Sequence, residues 1–261
     1  MDLSVDGRPA FAATGGRTFD PKLPTVVFIH GAGMDHTVWA LQTRYFAHHG
    51  RSVLAVDLPG HGRSGGPPLR SIGALAAWAT GALDAAGVAG AALVGHSMGA
   101  LVALDAAARA PERIRSLALL GVAARMPVHP ELQEASDHAR RLAPELVASW
   151  GHGRSGHVGG NPAPGLWMMG GALSLLERAP VGALAADLRA CNDYDGAPAA
   201  ARVTCPTLLL LGSADRMTPP AKAKPLAAAI RSARTVVLPH AGHMLMTERP
   251  DAVIDALAEV V

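Results

Sequence analysis

The stretch Ala91-Ala92-Leu93-Val94-Gly95-His96-Ser97-Met98-Gly99-Ala100 constrains the fold more than any other, because an apolar run passes through Gly-x-Ser-x-Gly straight into an alanine-rich segment. A chain that leaves a buried strand and enters a helix within a few residues must turn sharply, and only small flanking residues leave room for that. Gly95 and Gly99 give that room and put Ser97 at the apex. The helix predicted after it runs from Met98 to Ala110 and stops before Pro111. Its first turn leaves N–H groups unpaired and carries the positive end of the helix dipole, which suits an oxyanion forming beside Ser97. Ser97 is therefore a candidate nucleophile.

Short apolar runs alternate with longer Ala/Leu-rich segments over most of the chain, the pattern of a parallel sheet with helices on both faces. Val5 to Phe11 reads as an opening hairpin with Asp6-Gly7 at its turn. Thr25–His30, Ser52–Asp57, Ala91–Gly95, Ser116–Gly121, Thr207–Gly212 and Thr235–Pro239 read as buried strands. Helices are predicted over Val38–His49, Ile72–Ala86 after Ser71, Met98–Ala110, Pro220–Ile230 and from Pro250 onward. Between Val122 and Thr204 no strand pattern occurs, and Gly151 to Gly171 is rich in Gly, Pro, Trp and Met. The expected fold is α/β, a mostly parallel, doubly wound sheet of about eight strands with a helical cap insertion. The core is expected to comprise residues 1–123 and 202–261, and the cap residues 124–201. Glycines in that insertion, among them Gly160 and Gly165, make it a candidate lid.

Composition removes several function classes. With 23 Lys plus Arg against 21 Asp plus Glu, a net charge of +2 and no dense basic block, no nucleic-acid partner is expected. No apolar run approaches the roughly 20 residues that span a bilayer, so no membrane partner is expected either. Acidic residues stand at the beginning where a signal peptide would be basic, which points to a cytoplasmic protein. Cys191 and Cys205 match no metal or redox spacing and read as small buried hydrophobes. His129, His138, His152 and His157 lack carboxylates at ligand spacing, and no metal site is expected from them.

Ligands of an open parallel sheet bind beyond the carboxyl ends of its strands, so the loops there carry the chemistry. His30-Gly31-Ala32-Gly33 follows the first long strand and can aim a backbone N–H at a carbonyl oxygen. Asp57-Leu58-Pro59-Gly60-His61-Gly62-Arg63-Ser64 reads mainly as a structural turn. Asp215 follows Thr207–Gly212 and is the candidate to orient a histidine. His243, in the loop after the last strand, is preferred as the base over His240 at the strand's end.

These signatures, in the order Ser, Asp, His, resemble the α/β-hydrolase family over nearly the whole chain. The resemblance implies a serine hydrolase in which Ser97 attacks a carbonyl, His243 takes its proton and Asp215 orients the imidazole. The Ala32 and Met98 N–H groups fall where the family's oxyanion hole would be, each worth roughly 3 kcal/mol. No cofactor or metal is needed.

Serine in place of aspartate at position 97 argues against haloalkane dehalogenase and epoxide hydrolase chemistry. Met244 stands where carbon–carbon hydrolases of ring-cleavage products usually carry tryptophan. The expected pocket wall is Met34, Trp150, Trp167, Met168, Met217 and Met244, with Trp39 and Met246 assigned to the core. An apolar wall of this kind favours a small to medium ester. Lactones, carbon–carbon substrates and a non-catalytic role as a small-ligand-binding module stay open, as do monomer and homodimer.

Overall fold

The computed structural model describes residues 1–159 and 167–261. Its strands are β1 (Asp2–Val5), β2 (Arg8–Ala13), β3 (Thr25–Ile29), β4 (Ser52–Asp57), β5 (Ala91–His96), β6 (Ile114–Leu120), β7 (Thr207–Gly212) and β8 (Ala233–Leu238). They form one sheet in the order β1-β2-β4-β3-β5-β6-β7-β8. From β4 to β8 every neighbouring pair is parallel, and the β1–β2 hairpin is added antiparallel to the β4 edge. The hairpin turn is where the sequence puts it: Asp6 and Gly7 have φ of 51° and 73°, the left-handed pair whose twist matches the flanking strands.

The helices are α1 (Ala40–His48), α2 (Ile72–Ala85), α3 (Met98–Arg109), α4 (Pro130–Asp137), α5 (Leu142–Gly151), α6 (Arg154–His157), α7 (Met168–Glu177), α8 (Ala183–Asn192), α9 (Ala197–Ala200), α10 (Pro220–Ala229), α11 (Leu245–Glu248) and α12 (Pro250–Ala258). Alternation along the strands sorts the core into two layers. Val27, Ile29, Leu54 and Leu93 pack with α2 and α3, whereas Val26, Phe28, Val53 and Val94 pack with α1 and α12. Leu101 and Leu104 of α3 are fully buried, each contributing about 1.5–3 kcal/mol of transfer free energy. The Ser71 hydroxyl accepts from the Ala74 N–H and caps α2, as a serine before an apolar helix should.

Two expectations shift. The first helix is preceded by a 3-10 turn over His36–Trp39, held by the Asp35 side chain, so α1 starts two residues later than its apolar pattern suggests. The last strand is not buried. It ends the strand order with no neighbour beyond it, and Arg234, Thr235 and Val237 are exposed.

Between β6 and β7 the described residues form α4 to α9 and no strand. Gly160 and Gly165 lie outside the described residues. No helix among the described residues is long and apolar enough to cross a membrane.

Candidate active site

Ser97 sits between β5 and α3 with φ 53° and ψ −118°, a conformation a side-chain-bearing residue adopts only when its surroundings impose it. The surroundings here are backbone. A Cβ on Gly95 would overlap the Gly99 carbonyl, and one on Gly99 would overlap the Ile29 and His30 carbonyls. The Ser97 N–H is tied to the Leu120 carbonyl at 2.9 Å, and its own carbonyl accepts from Ala100 at 2.9 Å, so the apex is fixed from both sides.

His243 and Asp215 come together from the loops after β8 and β7. His243 Nδ1 lies 2.8 Å from Asp215 Oδ2, and both side chains are almost fully buried. The other Asp215 oxygen accepts from the Met217 and Thr218 N–H groups, each at 2.8 Å. The Thr218 hydroxyl donates to Oδ2 at 2.7 Å. Burial opposes the Asp215 charge, but the His243 ring and these donors outweigh it and hold the carboxyl well below the usual carboxylate range. With Nδ1–H given to Asp215, Nε2 carries the lone pair. It is buried without a hydrogen-bond partner among the described residues, and His243 lines the same cavity as Ser97. His240 is exposed, with a left-handed φ of 60°.

The backbone of His243 is clamped by groups that sequence reasoning passed over. Its N–H donates to the Gly151 carbonyl at 2.8 Å, and its carbonyl accepts from His96 Nε2–H at 2.9 Å. Burial pushes the His96 imidazole down to about 3, so it stays neutral and keeps that tautomer. Glu248, fully buried, accepts from the Gly242 and Gly153 N–H groups, each at 2.9 Å, joining the His243 loop to the start of α6. Burial pushes its carboxyl up against those two donors. A Cβ on Gly121 would stand 2.9 Å from His243 Nδ1, and its φ of 58° is left-handed, so the residue just after β6 is held to glycine. No local signal in the chain pairs residues this far apart.

Ala32, after β3, lines the cavity beside Ser97, and Met98, the first residue of α3, follows Ser97 in the chain with its side chain buried in the core. Their N–H groups have no acceptor among the described residues. The Ala32 loop is held from outside the sheet: the Gly33 N–H donates to Asp187 Oδ2 of α8 at 2.8 Å. His61 Nε2 meets the same oxygen at 2.9 Å, while its Nδ1–H donates to the Pro59 carbonyl at 3.1 Å. Burial works against the His61 charge, yet the bond to Asp187 and its charge push the imidazole up. The neighbouring His30, whose Nε2 accepts from Leu58, is pushed by burial down to about 4.

Ser97, Ala32 and His243 line a cavity of about 580 Å³ between the sheet edge and the β6–β7 segment. Of the expected wall residues, Met34, Trp150, Met217 and Met244 line it. Trp167 and Met168 do not. The Trp167 ring lies back over Gly170 on its own helix and is 71% exposed, and Met168 is buried away from the cavity. Sequence reasoning missed Val128, Leu132, Leu184 and Leu188, which ordinary helical periodicity does not distinguish from core, and it missed Arg216 and Lys222. Trp39 and Met246 are buried outside the cavity wall. Cys191 touches the cavity, but burial pushes its thiol far up and leaves it unreactive.

Among the described residues one group, Asp35, His36 and Asp57, has ligand-type atoms within 4.8 Å of one another. Its atoms serve the backbone instead. Asp57 accepts from the His36 N–H, His36 Nδ1 and the Arg63 N–H, and Asp35 accepts from Thr37. Arg63 stacks on Phe11 at 3.7 Å and does not line the cavity.

A family model described as "Alpha/beta hydrolase family" matches residues 26–256. A pimeloyl-[acyl-carrier protein] methyl ester esterase of Aromatoleum aromaticum is 30% identical over 256 residues, covering 91% of this chain and 98% of its own. The dihydrolipoyllysine-residue acetyltransferase component of the acetoin cleaving system from Cupriavidus necator is 40% identical over 119 residues. That match spans 44% of this chain and 30% of that protein's length. Among solved structures, the enol-lactonase from Burkholderia xenovorans LB400 superposes with a TM-score of 0.89 at 25% identity, covering 99% of this chain and 98% of the other.

Proposed function

Because the chain belongs to the alpha/beta hydrolase family, we propose that it cleaves a carboxylic ester of a small to medium, largely apolar compound through an acyl-enzyme on Ser97. The observation that carries this reading is the buried Asp215–His243 pair, whose Nε2 has no hydrogen-bond partner among the described residues and whose imidazole lines the same cavity as Ser97. Ser97 Oγ bonds to the ester carbonyl carbon as its proton passes to His243 Nε2. The oxyanion is received by the Ala32 and Met98 N–H groups, at roughly 3 kcal/mol per donor. Collapse breaks the bond to the alkoxy group, which leaves with the proton from Nε2. Water, deprotonated by the same nitrogen, then releases the acid. Asp215 stays ionised throughout and stabilises the imidazolium.

The β6–β7 segment, residues 124–201, acts as the cap that selects the substrate, since it contributes most of the apolar wall. Lactone hydrolysis is the second reading, favoured by the likeness to the Burkholderia enol-lactonase. Both use the same nucleophile. Labelling with a fluorophosphonate tests that nucleophile: an adduct on Ser97, abolished in Ser97→Ala and weakened in His243→Ala, is expected, and an unlabelled wild type overturns the hydrolytic reading. A panel of short and longer 4-nitrophenyl esters beside lactones then separates the two, the esters being the better substrates.

A further inference from the structure

The cavity has two unlike sides. The β6–β7 segment supplies apolar side chains such as Val128, Leu132 and Leu188, while the stretch after β7 supplies Arg216 and Lys222. Among the described residues no Asp or Glu lines the cavity. Arg216 follows Asp215 in the chain, yet the Asp215 oxygens are taken up by His243, Met217 and Thr218. Neither Arg216 nor Lys222 has a carboxylate within ion-pair distance among the described residues. Residues 160–166 contain no Asp or Glu that could supply one. In the β6–β7 segment Arg125, Arg140, Arg141 and Arg189 each meet an acidic partner, and among the described residues no Arg or Lys of that segment lines the cavity.

Both cations stand on rigid backbone. Arg216 belongs to the turn that the Asp215 side chain braces through the Met217 and Thr218 N–H groups. Lys222 lies in the first turn of α10, with its N–H on the Pro219 carbonyl at 2.8 Å. A wall with two positive side chains on braced backbone and no counter-charge raises the local concentration of anions and favours a ligand that brings its own carboxylate.

We propose that the cavity takes substrates carrying a free carboxylate besides the scissile ester, namely half-esters or lactones of dicarboxylic acids, with the carboxylate at Arg216 and Lys222 and the carbon chain on the apolar side. The proposal rests on the reading of Ser97 as an ester-cleaving nucleophile, but its test does not depend on turnover. The Ser97→Ala variant is titrated by calorimetry with the mono-4-nitrophenyl ester of glutaric acid and with neutral 4-nitrophenyl valerate. The half-ester should bind about tenfold tighter, and raising the salt to about 0.5 M should narrow the gap. Adding Arg216→Gln or Lys222→Gln should each shrink the preference by about threefold. Lys222 is exposed on a helix, so its variant decides the matter even if the Arg216 variant disturbs the Asp215 turn. Equal affinity for the two esters, or a preference untouched by Lys222→Gln and by salt, overturns the proposal. A wild type that hydrolyses neither ester and takes no fluorophosphonate removes the ester reading alone, since the binding preference is still measured.

Discussion

Asp187 on α8 holds His61 at 2.9 Å with both side chains all but fully buried, and the same oxygen accepts the Gly33 N–H next to Ala32. A buried ion pair gains little over a well-packed apolar pair, yet removing one partner strands the other charge. Asp187→Asn should therefore lower the unfolding free energy by about 3 kcal/mol and, by loosening the Ala32 loop, reduce kcat more than it raises KM. Urea unfolding and steady-state kinetics read the two effects. A loss under about 1 kcal/mol would show that the pair is not what holds this loop.

The Asp215–His243 contact gives a kinetic expectation. Asp215→Asn keeps the shape but presents an amide to Nδ1, so the imidazole loses its anionic partner and its tautomer preference. A fall in kcat of about 10⁴-fold is expected on the best ester of the panel, with the fold intact by circular dichroism. Retention of more than about a tenth of the activity would place the orienting acid elsewhere.

Backbone strain at Ser97 predicts a stability gain from losing function. Ser97→Ala removes the hydroxyl and keeps the strained φ of 53°, whereas Ser97→Gly relieves it. The glycine variant should be the more stable of the two by about 1 kcal/mol, the relief outweighing the extra freedom of its unfolded chain. Both should be inactive. Equal melting temperatures would mean that the elbow is relaxed.

Buried histidines set the acid limb of stability. His30 and His96 have folded values of about 4 and about 3 against an ordinary 6.5, so between those values the unfolded chain binds more protons. Stability then falls as the pH drops below about 6.5, by about 1.4 kcal/mol per pH unit for each histidine. His61 is raised, so its contribution is complete below its ordinary value and is lost as the pH rises through the raised one. Asp215, depressed, contributes above the ordinary carboxylate range and loses that contribution as the pH falls through its lowered value. Unfolding free energy should peak near pH 6.5. His96→Asn, which retains a donor toward the His243 carbonyl, should flatten the acid limb by one proton, and an unchanged slope refutes this account.

The elbow, the hairpin turn and the positions of the strands up to β7 were legible because each depends on residues within a few positions: two glycines around Ser97, Asp6-Gly7, and apolar runs with Gly or Pro at their ends. Asp215 and His243, which the structure brings into contact, could be singled out for a similar reason, standing in the loops that follow β7 and β8. What lay beyond reach was contact across the chain. Nothing local marks Glu248 as the acceptor of Gly153, or Asp187 as the partner of His61, 126 positions away. The Trp167 assignment failed differently: an aromatic in a glycine-rich stretch suggested a pocket wall, but Gly170 gave the ring a closer place to lie.

The two buried carboxylates also bear on redesign. Asp187 travels with residues 124–201 whereas its partners His61 and Gly33 do not, and Glu248 stays behind while its partner Gly153 leaves. Grafting that segment from another member of the fold would thus orphan a buried imidazole on one side and a buried carboxylate on the other. A chimera that exchanges substrate preference must carry positions 61 and 248 along as matched companions, or it will inherit a new pocket over a loosened catalytic floor.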